Sequence, residues 1–120
     1  MPRDYTKLAV FKLADSLAID VYRATRTFPI EERFALQSQL RRAAVSVPTN
    51  IVEGSLRPTE RDYLRFVSVA MSSAAEVRYL LSLSLRLGFV EQRDFGALDD
   101  SYDKLARSLN RLISRIEAPN

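Results

Sequence analysis

Residues 39–54 read QLRRAAVSVPTNIVEG, and this stretch decides the fold. Its apolar positions, with Leu36 just before it, run Leu36, Leu40, Ala43, Val47 and Ile51, a spacing that keeps one face of an α-helix apolar. Beside that line run Gln39, Arg42, Ser46, Asn50 and Glu53, spaced 3, 4, 4 and 3, so five polar side chains share an adjoining face. Pro48 lies inside both lines. It has no N–H and crowds the carbonyl four residues back, so it predicts a kink or a split. Gly54-Ser55 followed by Pro58 marks the helix end.

The same period extends outward on both sides. Val10, Ala14, Leu17 and Val21, widened by Leu13 and Ala18, predict a helix over about 7–28, closed by Phe28-Pro29. Glu31 and Glu32 suit the positive end of a second helix over about 31–54. Thr59 reads as an N-cap, with Asp62 three residues on, opening a third helix over about 60–87. Its seam, Tyr63, Val67, Ala70, Ala74, Val77 and Leu81, alternates steps of 4 and 3, and Gly88 supplies the stop. A fourth helix, about 92–117, repeats that alternation at Leu98, Tyr102, Leu105, Leu109, Leu112 and Ile116. Links this short make sequential helices antiparallel. The fold class is therefore all-α: an up-down-up-down four-helix bundle over 1–120 as a single domain.

Composition narrows the function classes. The chain of 120 residues has no Cys and no His. That removes disulfides, thiolate chemistry, the commonest neutral-pH general base and the commonest transition-metal ligand, and it suits a reducing cytoplasm. No nucleophile–base pair, metal cluster or phosphate loop is found, so the expectation is a non-enzyme with no cofactor. No apolar run approaches a membrane span, and MPRDYTKLAV at residues 1–10 lacks the apolar core of a leader. Of 18 basic residues only Lys7, Lys12 and Lys104 are lysine. Arginine suits phosphate and base contacts, although a GC-rich coding sequence produces the same skew.

Helices one and three carry more apolar residues than one seam consumes. The surplus is Phe11, Ile19 and Tyr22 in the first, and Leu64, Phe66, Val69, Met71, Leu80, Leu83 and Leu85 in the third. A helix apolar most of the way round is buried on more than one side, which predicts self-association.

The order Phe28, Pro29, Glu32, Phe34, Leu36, Gln39, Arg41, Arg42, Ala43, Val45, Ser46, Pro48, Asn50, Ile51, Glu53, Gly54 carries a resemblance. Tyr63, Phe66, Ala70, Ser73, Glu76 and Leu87-Gly88 continue it. The chain closely resembles the bacterial four-helix-bundle proteins encoded within intervening sequences of 23S ribosomal RNA genes, over nearly its whole length. The fold also resembles accessory proteins of diversity-generating retroelements, which are basic rings thought to handle nucleic acid. The resemblance implies a ring-forming homo-oligomer, a pentamer by preference, and a link to RNA or to a retroelement. Many members read N-I-A-E-G where this chain has Val52.

Two sets of residues are candidates for function. The polar stripe, Gln39, Arg42, Ser46, Asn50 and Glu53 with Ser73 and Glu76 across from it, reads as a buried network fixing helix register or a subunit contact. In it Arg42 would pair with Glu53 or Glu76, and Asn50 would take the carbonyl freed by Pro48. The second set is basic. Arg57, Arg61 and Arg65 open the third helix, and Lys104, Arg107, Arg111 and Arg115 line the fourth. Both series suit a phosphate backbone, RNA or DNA, while Asp62, Asp100 and Asp103 beside them suit ordinary surface ion pairs. Tyr5, Tyr22, Tyr79 and Phe89 fall near helix ends or off the seams and form no RNA-binding pattern. A nucleic-acid-associated assembly protein leads, a scaffold for itself or a protein partner is the alternative, and an enzyme comes last.

Overall fold

The structure is a computed structural model that describes residues 3–118, so the first residues of the segment read as no leader lie outside it. Four α-helices carry the chain: α1 Ala9–Ala24, α2 Leu36–Ser55, α3 Glu60–Arg86 and α4 Gln92–Glu117. Short 3-10 turns at Tyr5–Lys7 and Ile30–Glu32 precede α1 and α2. Each helix packs on the next and α4 closes on α1, while the diagonal pairs stay apart. Contacts step backward along α3 as they step forward along α2, from Ser46 against Ser73 to Gly54 against Phe66, which makes that pair antiparallel. The bundle measures 49 × 23 × 19 Å. The 27 residues of α3 span about 40 Å of that length.

The seams predicted from periodicity are the core. Leu40, Val47, Ile51, Val67, Val77, Leu81, Tyr102, Leu105 and Leu109 are fully buried, and of the predicted seam residues only Leu13 in α1 and Ile116 at the end of α4 are half-exposed. The long α3 is also apolar enough over one 18-residue window to cross a membrane. That qualifies the expectation of no span-like stretch: its Ala, Val and Leu are dispersed among charges such as Arg65, Glu76 and Arg78, so no uninterrupted run reveals it.

Two boundaries differ from the sequence reading. α1 ends at Ala24, four residues before Phe28, because Thr25 is buried and turns its hydroxyl back onto the Val21 carbonyl at 2.9 Å. α2 begins at Leu36, where Glu32 accepts the Leu36 N–H at 3.3 Å instead of leading the helix. Pro48 lies inside an unbroken α2, so it does not split the helix. Both ends of α3 match their expected chemistry: Thr59 Oγ1 accepts the Asp62 N–H at 3.1 Å at the start, and Gly88 takes the left-handed φ of +80° after the end.

Charges fasten α3 to α4. Arg78 holds Asp99 with two bonds, Nε to Oδ1 at 2.9 Å and Nη2 to Oδ2 at 3.2 Å, and reaches Asp103 Oδ1 at 3.3 Å. Asp103 also accepts from Arg107, and that bond, with help from Arg78, holds its carboxyl below the usual range. What this lowering contributes to stability is lost as pH falls through that depressed value.

Gly54 and Gly96 give opposite expectations for the same substitution. A Cβ on Gly54 would stand 2.9 Å from Phe66 Cβ and 3.2 Å from Tyr63 Cδ1, whereas one on Gly96 meets nothing within 4 Å. Gly96→Ala should raise stability by up to about 1 kcal/mol, as a helix-interior alanine does. Gly54→Ala should lower it by about 1 kcal/mol net, because overpacking outweighs the same propensity gain. Urea unfolding of both variants checks the signs.

Tyr102 supplies a second test. Its hydroxyl is buried with no hydrogen-bond partner among the described residues, and burial, aided by the charge of Asp20, raises its pKa. Tyr102→Phe should therefore stabilise by about 1 kcal/mol. In the folded parent the phenol stays protonated above about pH 10, where an unfolded tyrosine ionises, so stability falls as pH rises there. The variant should show less of that fall in alkaline urea titrations.

Candidate functional site

The polar stripe of α2 divides into a bonded centre and exposed flanks. Ser46 Oγ and Ser73 Oγ lie 2.8 Å apart across the α2–α3 contact, with Ser73 buried. Asn50 donates to the Ser46 carbonyl at 2.8 Å and to Ser46 Oγ at 3.0 Å. Its amide thus serves Ser46, not the Ala44 carbonyl that Pro48 leaves without its helical donor. Gln39, Arg42, Glu53 and Glu76 are exposed, so the network is not buried along its length. Arg42 forms no ion pair with Glu53 or Glu76 among the described residues. Eleven residues separate Arg42 from Glu53, about 16 Å along the axis and beyond side-chain reach.

The two basic series, far apart in sequence, approach each other at Arg115, while Arg107 lies farther along the rod, level with Arg78. Antiparallel packing sets the start of α3 beside the end of α4. Tyr63 joins them: the Arg3 guanidinium lies 4.0 Å from its ring centroid, and Arg115 is close enough to act on its hydroxyl. Burial raises the Tyr63 pKa, against the two arginines. Arg3 Nη1 also donates to the Arg57 carbonyl at 3.3 Å. Arg57 and Arg65 stack on Phe66 at 5.1 and 4.8 Å, and Arg65 lies 3.8 Å from Asp62.

On α4, Arg107 is tied to Asp103 and Arg111 donates to Ser108 Oγ at 3.0 Å. Arg111 and Arg115 line a depression of about 320 Å³ with Asn110 and Ser114. Arg61, Lys104 and Arg115 are exposed and have no ion-pair partner among the described residues. Surface pairing thus accounts for Arg65 and Arg107, and Asp100 makes no pair with Lys104.

The surplus apolar residues are placed in two ways. Leu80 joins the core, and Phe11, Met71 and Leu83 pack half-buried against it. Ile19, Tyr22 and Val69 stay exposed. Ile19 and Tyr22 line an apolar groove of about 460 Å³ between α1 and α2, with Phe11, Val45, Pro48 and Val52. Residue spacing missed the more exposed set, Ile30, Phe34, Leu56 and Leu87, because these lie in connections or at helix ends where no period operates. Among the four flagged aromatics, Phe89 packs on Phe28 with ring centroids 5.6 Å apart and Tyr5 packs on Phe11 at 4.9 Å. Tyr22 and Tyr79 face solvent.

Comparison with known proteins gives one family: the model described as 23S rRNA-intervening sequence protein matches residues 6–111. Among solved structures, the chain is similar to a protein of unknown function from the S23 ribosomal protein family of Bacteroides thetaiotaomicron. The two are 19% identical with a TM-score of 0.81, over 88% of this chain and 95% of that one, a likeness of fold. No curated protein matches.

The divided stripe predicts unequal costs. Asn50→Ala should lower stability by about 1 kcal/mol, since it strips two hydrogen bonds from a half-buried site. Exposed Glu53→Ala should change the stability of the single chain by less than about 0.5 kcal/mol. Equal losses in urea unfolding at low protein concentration would contradict the division.

Proposed function

The chain belongs to the 23S rRNA-intervening sequence protein family, and on that premise we propose that it is a non-enzymatic, self-assembling bundle that associates with nucleic acid. The observation that carries this reading is the basic end of the rod, where Arg111 and Arg115 line a depression on α4 and Arg115 acts on Tyr63 in the first turn of α3, which also carries Arg61. A phosphate backbone is the partner that such arginines suit, through charge that salt screens. Nothing in the arrangement inserts a helix or a ribbon into a groove, so binding should show little sequence preference. We place the protein in the cytoplasm, in keeping with a chain free of cysteine.

Self-assembly supports the reading by repeating the basic end around an axis. The α1–α2 groove, with Ile19 and Tyr22 exposed, offers the apolar surface for it, and the family resemblance favours a homopentamer. The same groove also favours the second reading, a scaffold for itself or for a protein partner with no nucleic-acid role.

The test is a titration against structured RNA and duplex DNA over a range of salt. Affinity should fall steeply as salt rises, and Arg111→Glu with Arg115→Glu should weaken low-salt binding by at least about tenfold. Binding that is absent, or unchanged by the reversals, leaves the scaffold reading. Sedimentation of the same samples should give a multiple of 13.7 kDa. A single-chain mass would remove the assembly.

A further inference from the structure

The opposite end of the rod, where α1 ends and α2 begins, carries a second concentration of arginine. Tyr22, Arg33, Phe34, Gln37, Ser38, Arg41 and Arg42 line a depression of about 250 Å³, three cations with no carboxylate in its wall. The three arginines are not equivalent. Arg41 is already committed: its Nε donates to Thr25 Oγ1 at 2.8 Å, its Nη2 to the Tyr22 carbonyl at 3.1 Å, and its plane covers the Tyr22 ring at 4.5 Å. The guanidinium groups of Arg33 and Arg42 have no hydrogen-bond or ion-pair partner among the described residues. Both are exposed. The nearest acids along the chain are Glu31, exposed, and Glu32, whose Oε1 is turned to the Leu36 N–H.

Phe34 stands at the rim, 88% exposed, the most exposed of the large apolar residues. It does not hang on a loose loop. The Arg33 N–H bonds the Ile30 carbonyl at 3.1 Å and the Ala35 N–H bonds the Glu32 carbonyl at 3.1 Å, so the turn that presents the ring is held on both sides. The Arg33 guanidinium lies 5.3 Å from its centroid. A ring with a cation over one face offers the other face for stacking, and arginine beside it supplies the phosphate contact. A protein partner would meet two solvated cations without a carboxylate of this wall to balance them. An unpaired nucleotide meets a stacking surface and an anion site together.

We propose that this depression is a single-stranded RNA site, with Arg33 and Arg42 on a phosphate and Phe34 under an adjacent unpaired base. It deepens the nucleic-acid reading and rests on it, but it uses a different end of the molecule. The site takes the splayed strand, while the α3–α4 end takes backbone of any form.

The experiment measures binding of a short labelled single-stranded oligoribonucleotide of mixed sequence to the full chain, with inorganic phosphate as competitor. Phe34→Ala should weaken RNA binding at least about fivefold, Phe34→Tyr should retain it, and competition by phosphate should be the same in all three proteins. Arg33→Glu with Arg42→Glu should lower both affinity and the log–log salt slope, by about 0.7 for each phosphate contact removed. All of these side chains are exposed, and thermal melts of the variants confirm that the fold survives. RNA binding unaffected by Phe34→Ala overturns the site, and if Arg111→Glu with Arg115→Glu still weakens it, the reading at the α3–α4 end stands alone. A change of sedimentation mass in Phe34→Ala with unchanged RNA affinity also overturns the site, making the ring an assembly contact. A parent protein that binds no RNA at low salt overturns both.

Discussion

The contact on which this bundle depends is the close approach of α2 to α3 at Gly54, where even a methyl group would stand 2.9 Å from Phe66 Cβ. Backbones that near cannot slide without collision, so the contact sets the register of the whole pair. From that register it follows that Ser46 meets Ser73, that Asn50 finds Ser46, and that the polar line of α2 opens to solvent on either side of them. The same register brings Phe66 under Arg57, just past the end of α2. A glycine that lacks positive φ is explained here by space, not by backbone conformation.

Seams were legible because burial imposes a period and the period is written in residue type. Val67, Ala70, Ala74, Val77 and Leu81 could be assigned to the core with no knowledge of their neighbours. Depth was less legible than direction. The spacing of Gln39, Arg42, Ser46, Asn50 and Glu53 correctly gives one face, but only the distance to α3 decides that Ser46 is sheltered and Arg42 is wet. Ser73 could be set across from the stripe, but ion pairs between helices were not legible. Arg78 with Asp99 requires a register that no local pattern specifies, while Arg107 with Asp103 obeys a spacing of four within one helix. Boundaries failed where a side chain from elsewhere intervened, as Thr25 and its partners end α1 ahead of Phe28-Pro29.

The excess of arginine over lysine now has a structural component. Arg3, Arg41, Arg57 and Arg65 each lie over an aromatic ring of the bundle, and Arg3, Arg41, Arg57 and Arg86 donate to backbone carbonyls. Those tasks use a flat, multiply donating cation, and lysine offers charge without the plane. Subtracting them leaves a smaller set, Arg42, Arg61 and Arg115 among it, whose charge is free for an outside partner. Total basicity overstates the charge that the surface leaves uncommitted, because the fold itself uses much of the arginine.

The end of α1 has a meaning for partly folded states as well as for the folded one. Two of its last carbonyls take donors from α2 as well as from their own turn: Gln37 reaches Thr25 at 2.7 Å, which the Phe28 N–H also bonds, and Arg41 reaches Tyr22 at 3.1 Å, which Thr25 Oγ1 also bonds. A helix of 16 residues is near the length at which isolated helices are marginal in water. The donors that α2 adds are in place only once it has wound through Arg41. α1 therefore draws part of its termination from α2, and that part is absent from any state in which α2 is unwound.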